Sequence, residues 1–225
     1  MNDSLIWKDY NHNHFLDLEA DHIFKIQVDK KYDIVAEGFK EVASDAERLK
    51  STKYLKEADA KRYITSKYLL RTVLSKFTNI AAPAINFQQT ANKKPFLTGI
   101  EFNVTHSKNL VVMAVSRLPI GIDIEFINQT FDFEPLLSNC FHPEEINSLK
   151  NNPNADDFYR LWTRKEAVLK ATGEGLIDAL DEINCLGDLI VRNNQNLNLQ
   201  SFKVDDDYVL SIAKAAKSQT SFWQY

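Results

Sequence analysis

Two carboxylates in the segment Gly121-Ile122-Asp123-Ile124-Glu125 are spaced to act together on one ligand. The alternation of apolar and polar residues predicts a strand, in which successive side chains point to opposite faces. Asp123 and Glu125 then share a face with Gly121, and they lie about 7 Å apart along the strand. Paired carboxylate oxygens suit a hard divalent cation. Gly121 has no side chain, so it allows a close approach of backbone or ligand on that same face.

A second segment, Trp162-Thr163-Arg164-Lys165-Glu166-Ala167-Val168-Leu169-Lys170, supplies a third acid. The segment predicts a helix, on which Glu166 and Lys170 lie one turn apart on the same face. We expect a metal site made by Asp123, Glu125 and Glu166, with Asp123, Glu166 and Lys170 as the catalytic residues of metal-assisted phosphoryl-group chemistry. The simpler alternatives are a solvated strand face and a surface ion pair between Glu166 and Lys170.

Composition limits the classes of function. The chain has 225 residues, with 44% hydrophobic and 26% charged residues, which is typical of a globular protein. Its net charge of −4 argues against a general nucleic-acid binder, whereas local basic clusters fit a discrete phosphorylated ligand. No apolar stretch is long enough to span a membrane, the N-terminus does not resemble a signal peptide, and the two cysteines form no disulfide framework. We therefore expect a cytoplasmic protein without a membrane partner.

Hydrophobic periodicity outlines the elements that position these residues. A helix is predicted over Glu57 to Phe77, a buried strand over Leu110 to Ser116, and another strand over Tyr208 to Ala213. The helix that carries Glu166 should end at Ala171, with Gly173 closing it. The pattern Arg-x-x-Thr-x-Lys begins at Arg62 and again at Arg160, once in each long helix, which hints at two similar halves.

Five motifs together resemble a known family, the 4'-phosphopantetheinyl transferases of the longer, surfactin-synthetase-activating type. The motifs occur in the family order between about residue 50 and residue 175. They are Ala60-Lys61-Arg62, Lys94-Pro95, Asn103-Val104-Thr105-His106-Ser107, Gly121-Ile122-Asp123-Ile124-Glu125, and Trp162-x-x-Lys165-Glu166-Ala167-x-x-Lys170.

The resemblance implies an α/β (α+β) fold of two pseudo-symmetric halves with the active site in the cleft between them. We place the N-terminal half at residues 1–115 and the C-terminal half at residues 116–225. The implied reaction is Mg²⁺-dependent transfer of the 4'-phosphopantetheine arm of coenzyme A to a serine hydroxyl of an apo acyl or peptidyl carrier protein, releasing adenosine 3',5'-bisphosphate. The implied partners are coenzyme A and the carrier protein, and a chain of this length resembles the monomeric type.

The resemblance also assigns the residues that contact coenzyme A. His106 is expected at the 3'-phosphate, Lys170 or Lys165 at the pyrophosphate, and Lys50 at the ribose phosphate. The full expected set is Lys50, Arg62, Lys94, Pro95, Thr105, His106, Lys165 and Lys170. Two positions depart from the family pattern: Thr105 replaces the usual serine, and Lys93 replaces the usual glycine before Lys94-Pro95.

Two other functions use the same residues. One is a non-catalytic protein that keeps a coenzyme A pocket, although a binder has no need of three metal-directed acids. The other is a metal-dependent phosphodiesterase or nuclease. Many nucleases place a lysine two residues after the acid of the metal strand, where this chain has Ile127.

Overall fold

The computed structural model describes residues 5–11, 14–92, 94–175, 179–215 and 218–225. Within these ranges the strands are β1 Lys8–Asp9, β2 Asp21–Gln27, β3 Gln88–Gln89, β4 Pro95–Phe96, β5 Glu101–Ser107, β6 Leu110–Ser116, β7 Ile120–Phe126, β8 Leu189–Arg192, β9 Gln195–Val204, β10 Tyr208–Lys214 and β11 Thr220–Gln224. The α-helices are α1 Val28–Val42, α2 Asp45–Ser51, α3 Glu57–Thr78, α4 Leu137–Cys140, α5 Pro143–Asn151 and α6 Ala155–Thr172.

Two sheets form the centre of the molecule, in the strand orders β1-β11-β2-β6-β5 and β7-β10-β9-β8. Apolar side chains of β2 and β6 pack against those of β7 and β10, and Val112 and Ile122 are both fully buried in this shared core. Helix α3 packs on the first sheet and α6 on the second. The predicted α/β class is confirmed.

Local sequence explains where the main elements begin and end. All seven residues of β6 are buried, as its apolar run predicts. Helix α6 begins after Asn154, whose side chain accepts a hydrogen bond from the Asp157 N–H, and it ends at Gly173, which adopts φ 73°. Helix α3 extends one residue beyond the predicted Phe77. The long elements that carry the site are therefore where the periodicity places them.

The second half repeats the elements of the first about 98 residues later along the chain. β2, α2, α3, β5 and β6 correspond in order to β7, α5, α6, β9 and β10, and the strand orders β2-β6-β5 and β7-β10-β9 match. A glutamate in a helix-capping box, Glu47 or Glu145, pairs in each half with a lysine of the long helix, Lys67 or Lys165. The repeated Arg-x-x-Thr-x-Lys pattern thus has a structural counterpart.

The C-terminal strand breaks this repeat. β11 pairs with β2 and β1 in the first sheet. The last strand of the chain therefore joins the sheet of the N-terminal half, although its residues fall within the expected C-terminal half, 116–225. On β2, the strand register places Phe24 and Ile26 at the positions that Asp123 and Glu125 occupy on β7, and both are buried in the apolar core to which α3 contributes. The metal-directed acids of the described chain therefore lie at only one of the two equivalent positions.

Candidate active site

Gly121 brings α6 close to β7. A Cβ atom at this position would lie 2.0 Å from the Ala167 carbonyl oxygen and 2.3 Å from the Ala171 nitrogen, so a larger residue does not fit. The alternation of the strand places Asp123 and Glu125 on the face that meets this helix. The helix in turn brings Glu166 and Lys170 to the two acids.

Asp123 is the centre of the cluster, and its side chain is almost fully buried. Its Oδ1 atom accepts hydrogen bonds from the Lys170 Nζ at 2.6 Å and from the Thr105 Oγ1 at 2.9 Å. Its Oδ2 atom is buried and has no hydrogen-bond partner among the described residues. A buried carboxylate oxygen without a partner is costly unless a ligand satisfies it, so this atom indicates a site for a cation or a donor.

Glu125 and Glu166 lie near enough to Asp123 to feel its charge. The pKa of Glu125 is raised mainly by its burial and also by the charges of Asp123 and Glu166. A hydrogen bond from Ser107 opposes this rise. The pKa of Glu166 is raised mainly by its burial and also by the charge of Asp123, whereas the charge of Lys170 opposes the rise. Carboxylates whose charges raise the pKa of a neighbouring acid form an unfavourable concentration of negative charge, which a divalent cation relieves.

The three acids are not closed around one point. In the described ranges, no group of three His, Cys, Asp or Glu side chains is gathered tightly enough to enclose a metal ion. The Lys170 ammonium instead neutralises Asp123. The oxygen-only donor set, the unsatisfied Oδ2 atom of Asp123 and the raised pKa values of Glu125 and Glu166 nevertheless fit a hard cation such as Mg²⁺, with Asp123, Glu125 and Glu166 as the residues that would hold it.

Two cationic or titratable side chains lie on the side of the cluster that belongs to the first half. Arg62 on α3 donates to the Lys108 carbonyl oxygen and pairs with Asp59, beside a cavity of about 360 Å³. The exposed His106 lies near Arg62 and Lys170. The pKa of His106 is lowered mainly by partial desolvation of its ring and also by these two positive charges. The ring is therefore mainly neutral at pH 7, and a bound phosphate would favour its cationic form.

Lys94 and Pro95 line a smaller cavity, of about 150 Å³, between α3, β4 and β5. The Lys94 Nζ donates to the carbonyl oxygen of Lys170 at 3.1 Å, so this cavity adjoins the acid cluster. The same cavity is lined by Ser66 and Lys67, neither of which was among the predicted site residues. The Ser66 hydroxyl oxygen is buried and finds no partner within the part of the chain that the structure describes.

Lys50 lies at the periphery. It is exposed, and its ammonium lies 5.4 Å from the centroid of the Tyr63 ring. Lys67 approaches the same ring from the cavity, at 5.9 Å. The pKa of Lys67 is lowered mainly by its burial and also by the charge of Lys50. The charge of Glu47 opposes this lowering. The two lysines therefore form one basic region at this end of the site.

Lys165 does not belong to the cluster, and its buried position contradicts its predicted role at the pyrophosphate. Its side chain is only 1% exposed. Its ammonium pairs with Glu145 at 2.7 Å and donates to the carbonyl oxygens of Leu180 and Ile183. One residue along a helix turns the side chain by about 100°, so Lys165 points into the core while Glu166 faces β7. Of the two candidate lysines, only Lys170 reaches Asp123.

Two family models and several known proteins match this chain. A family model described as the 4'-phosphopantetheinyl transferase superfamily matches residues 119–213, and one described as 4'-phosphopantetheinyl transferase, N-terminal, matches residues 37–118. The 4'-phosphopantetheinyl transferase HetI of a Nostoc species is 29% identical, covering 91% of this chain and 92% of that protein. The 4'-phosphopantetheinyl transferase psf-1 of Bacillus pumilus is 31% identical, covering 68% and 70%.

Two further matches are to another transferase and to a solved structure. The 4'-phosphopantetheinyl transferase Sfp of Bacillus subtilis is 27% identical, covering 80% of this chain and 85% of its own length. A holo-(acyl-carrier-protein) synthase from Bacillus anthracis, solved with CoA (3',5'-ADP), aligns with 43% of this chain and 92% of its own at 16% identity and a TM-score of 0.35.

This chain belongs to the 4'-phosphopantetheinyl transferase superfamily. The membership confirms the resemblance that the five motifs carry, and it identifies the chain as an enzyme of this transferase class. No helix in the described residues is long and apolar enough to cross a membrane.

Proposed function

We propose that this protein transfers the 4'-phosphopantetheine arm of coenzyme A to a serine hydroxyl of an apo acyl or peptidyl carrier protein in a Mg²⁺-dependent reaction. Adenosine 3',5'-bisphosphate is the second product. The observation that carries the proposal is Asp123, which is buried between Lys170 and two further acids with one oxygen atom unsatisfied. This cluster adjoins the basic residues Arg62 and His106.

The basic residues would bind the phosphates of coenzyme A. Arg62 and His106 would present a guanidinium and an imidazole to the 3'-phosphate, and the exposed Lys50, which shares the Tyr63 ring with Lys67, would add positive charge for the ribose phosphate. The cavity lined by Lys94 and Pro95 would hold the adenine end of the molecule. Lys170, next to Asp123, would donate to the pyrophosphate.

The acids would carry the chemistry. A divalent cation held by Asp123, Glu125 and Glu166 would neutralise charge on the pyrophosphate and on the leaving bisphosphate. Glu166, whose pKa is raised by burial and by Asp123, would accept the proton of the serine hydroxyl. The serine oxygen attacks the phosphorus atom on the pantetheine side, and the bond from that phosphorus to the bisphosphate oxygen breaks. Lys170 stabilises the charge that develops.

The test is incubation of the purified protein with coenzyme A, Mg²⁺ and a panel of apo carrier proteins, followed by intact-mass measurement of the carriers. We expect at least one carrier to gain the mass of one phosphopantetheine arm, and a chelator to abolish the gain. Binding of coenzyme A without transfer to any carrier would favour the non-catalytic alternative. Cleavage of a phosphodiester with Mg²⁺ alone would favour the phosphodiesterase. We further propose that the protein acts as a monomer in the cytoplasm.

A further inference from the structure

The edges of the two sheets meet at β5 and β7 through side chains. Three alternating residues of β5, namely Asn103, Thr105 and Ser107, accept hydrogen bonds from three N–H groups of β7. The donor–acceptor distances are 3.3 Å from Ile122 to Asn103, 3.4 Å from Ile124 to Thr105 and 3.0 Å from Phe126 to Ser107. These contacts satisfy the outer edge of β7, which would otherwise expose unpaired N–H groups in the cleft.

Two of these side chains also hold the acids of the cluster. The Ser107 Oγ lies 2.8 Å from the Glu125 Oε2, and the Thr105 Oγ1 lies 2.9 Å from the Asp123 Oδ1. A hydroxyl has one proton to donate. Because the Phe126 N–H already occupies a lone pair of the Ser107 oxygen, the hydroxyl proton of Ser107 is directed to Glu125. The Thr105 proton is directed to Asp123 in the same way.

Each hydroxyl therefore fixes a carboxylate relative to the strand that bears it. Ser107 joins the N–H of Phe126 to the side chain of the preceding residue, Glu125, and this restricts rotation of a long, otherwise mobile side chain. One oxygen of Glu125 is held by Ser107, so the other can be presented to a ligand in a defined direction. Second partners of this kind orient metal-binding carboxylates in proteins generally.

We infer that Ser107 is a positioning residue for Glu125, and that Thr105 has the same role for Asp123 rather than serving primarily as a coenzyme A contact. The inference rests on the proposed function, since it assumes that these acids bind a divalent cation. Neither hydroxyl needs to touch substrate for this role. Both act through the carboxylates they hold.

The chain offers a matched control for removing Ser107. The Ser116 Oγ donates to the Asp21 Oδ1 at 2.6 Å and accepts from the Leu118 N–H at 3.1 Å, so it makes the same double bridge between a carboxylate and the backbone. Ser116 lies at the opposite end of β6 from the acid cluster. Ser116→Ala therefore removes an equivalent pair of hydrogen bonds without changing how the acids are held.

The experiment measures Mn²⁺ binding by electron paramagnetic resonance to the protein saturated with coenzyme A, together with kcat and KM for transfer to a carrier protein. We expect Ser107→Ala to weaken Mn²⁺ binding about tenfold and to lower kcat, while KM for coenzyme A changes little. Ser107→Thr keeps a hydroxyl and should restore both values. Ser116→Ala should bind Mn²⁺ as the wild type does, and thermal unfolding confirms that each variant is folded.

Wild-type Mn²⁺ affinity in a folded Ser107→Ala variant would overturn the inference and leave the proposed function intact. An equal loss in Ser116→Ala would also overturn it, because the effect would then be one of general stability. A wild-type protein that takes up no Mn²⁺ would contradict the metal site itself, and with it both the inference and the Mg²⁺ dependence proposed above.

Discussion

Gly121→Ala tests whether close contact between β7 and α6 assembles the site. The new Cβ atom would lie 2.0 Å from the Ala167 carbonyl oxygen, where an ordinary contact is 3.4 Å or more. The obstructing atoms are backbone atoms, so no side-chain rotation relieves the overlap and α6 must retreat by about 1 Å or more. That movement would separate the Lys170 Nζ from the Asp123 Oδ1, which are now 2.6 Å apart.

We expect this variant to lose about 10²-fold in the rate of transfer, because a displacement of about 1 Å at a catalytic group has an effect of that order. Overpacking of this kind also lowers the free energy of unfolding by about 1–3 kcal/mol. The assay is initial-rate transfer to a carrier protein by intact-mass measurement, with thermal unfolding of the same preparation. Gly187→Ala is the matched control, since its Cβ would meet its nearest neighbour at 3.9 Å. A folded Gly121→Ala variant that transfers at the wild-type rate would refute the reasoning.

Three further predictions concern the charges of the site. Lys170→Met removes the ammonium that neutralises Asp123. Mn²⁺ binding without coenzyme A, titrated by electron paramagnetic resonance, should therefore strengthen, while the rate of transfer falls about 10²-fold or more. Unchanged values in both assays would contradict this prediction. Burial and Asp123 raise the pKa of Glu166 above its usual 4.5, so its ionisation disfavours the folded state as the pH rises beyond that value. Glu166→Gln should therefore raise the melting temperature of the metal-free protein at pH 8 and lose that advantage near pH 4, and a melting temperature lowered equally at both values would argue against it. The pKa of His106 is lowered from 6.5 in the ligand-free protein, and a bound phosphate should raise it. Coenzyme A binding at pH 6.5 should then take up protons, which calorimetry in buffers of different ionisation enthalpy measures. His106→Ala should reduce this uptake. Equal uptake by the variant would exclude His106 as the group that gains the proton.

Sequence patterns were most informative where the elements are long. The run Leu110–Ser116 and the amphipathic helix α3 were predicted closely, because burial in the core imposes a period that a single sequence displays. The two-residue strands β1, β3 and β4 carry no such period. The addition of β11 to the first sheet depends on pairing with a strand about 200 residues earlier, and local patterns do not encode such pairing.

In the site, too, local periodicity predicts some residues, whereas the position of others depends on tertiary packing. Asp123, Glu125, Glu166 and Lys170 are brought to one side of the β7–α6 contact, as strand and helix periodicity predict. Which of two lysines faces the cleft is decided by the packing of α6, and here Glu145 holds Lys165 in the core. The cavity residue Lys67 was missed because an isolated helix lysine usually lies in solvent.

The two roles of Ser107 were also hidden, although its alternation with Thr105 was visible in the sequence. Period 2 shows that the two hydroxyls share a face of β5, but it does not show that the edge of β7 lies against that face. Only the meeting of the two sheets shows that one hydroxyl serves both a backbone N–H and a carboxylate.

The most direct test of the account is transfer by Asp123→Asn. This change keeps the shape of the side chain and an oxygen atom for the hydrogen bonds from Thr105 and Lys170, but it removes the negative charge on which cation binding depends. The measurement is the mass of an apo carrier protein after incubation with coenzyme A, Mg²⁺ and the variant, alongside a thermal unfolding curve. The account predicts a folded protein that leaves the carrier unmodified under conditions in which the wild type modifies it completely. A folded Asp123→Asn variant that modifies the carrier at the wild-type rate would contradict it.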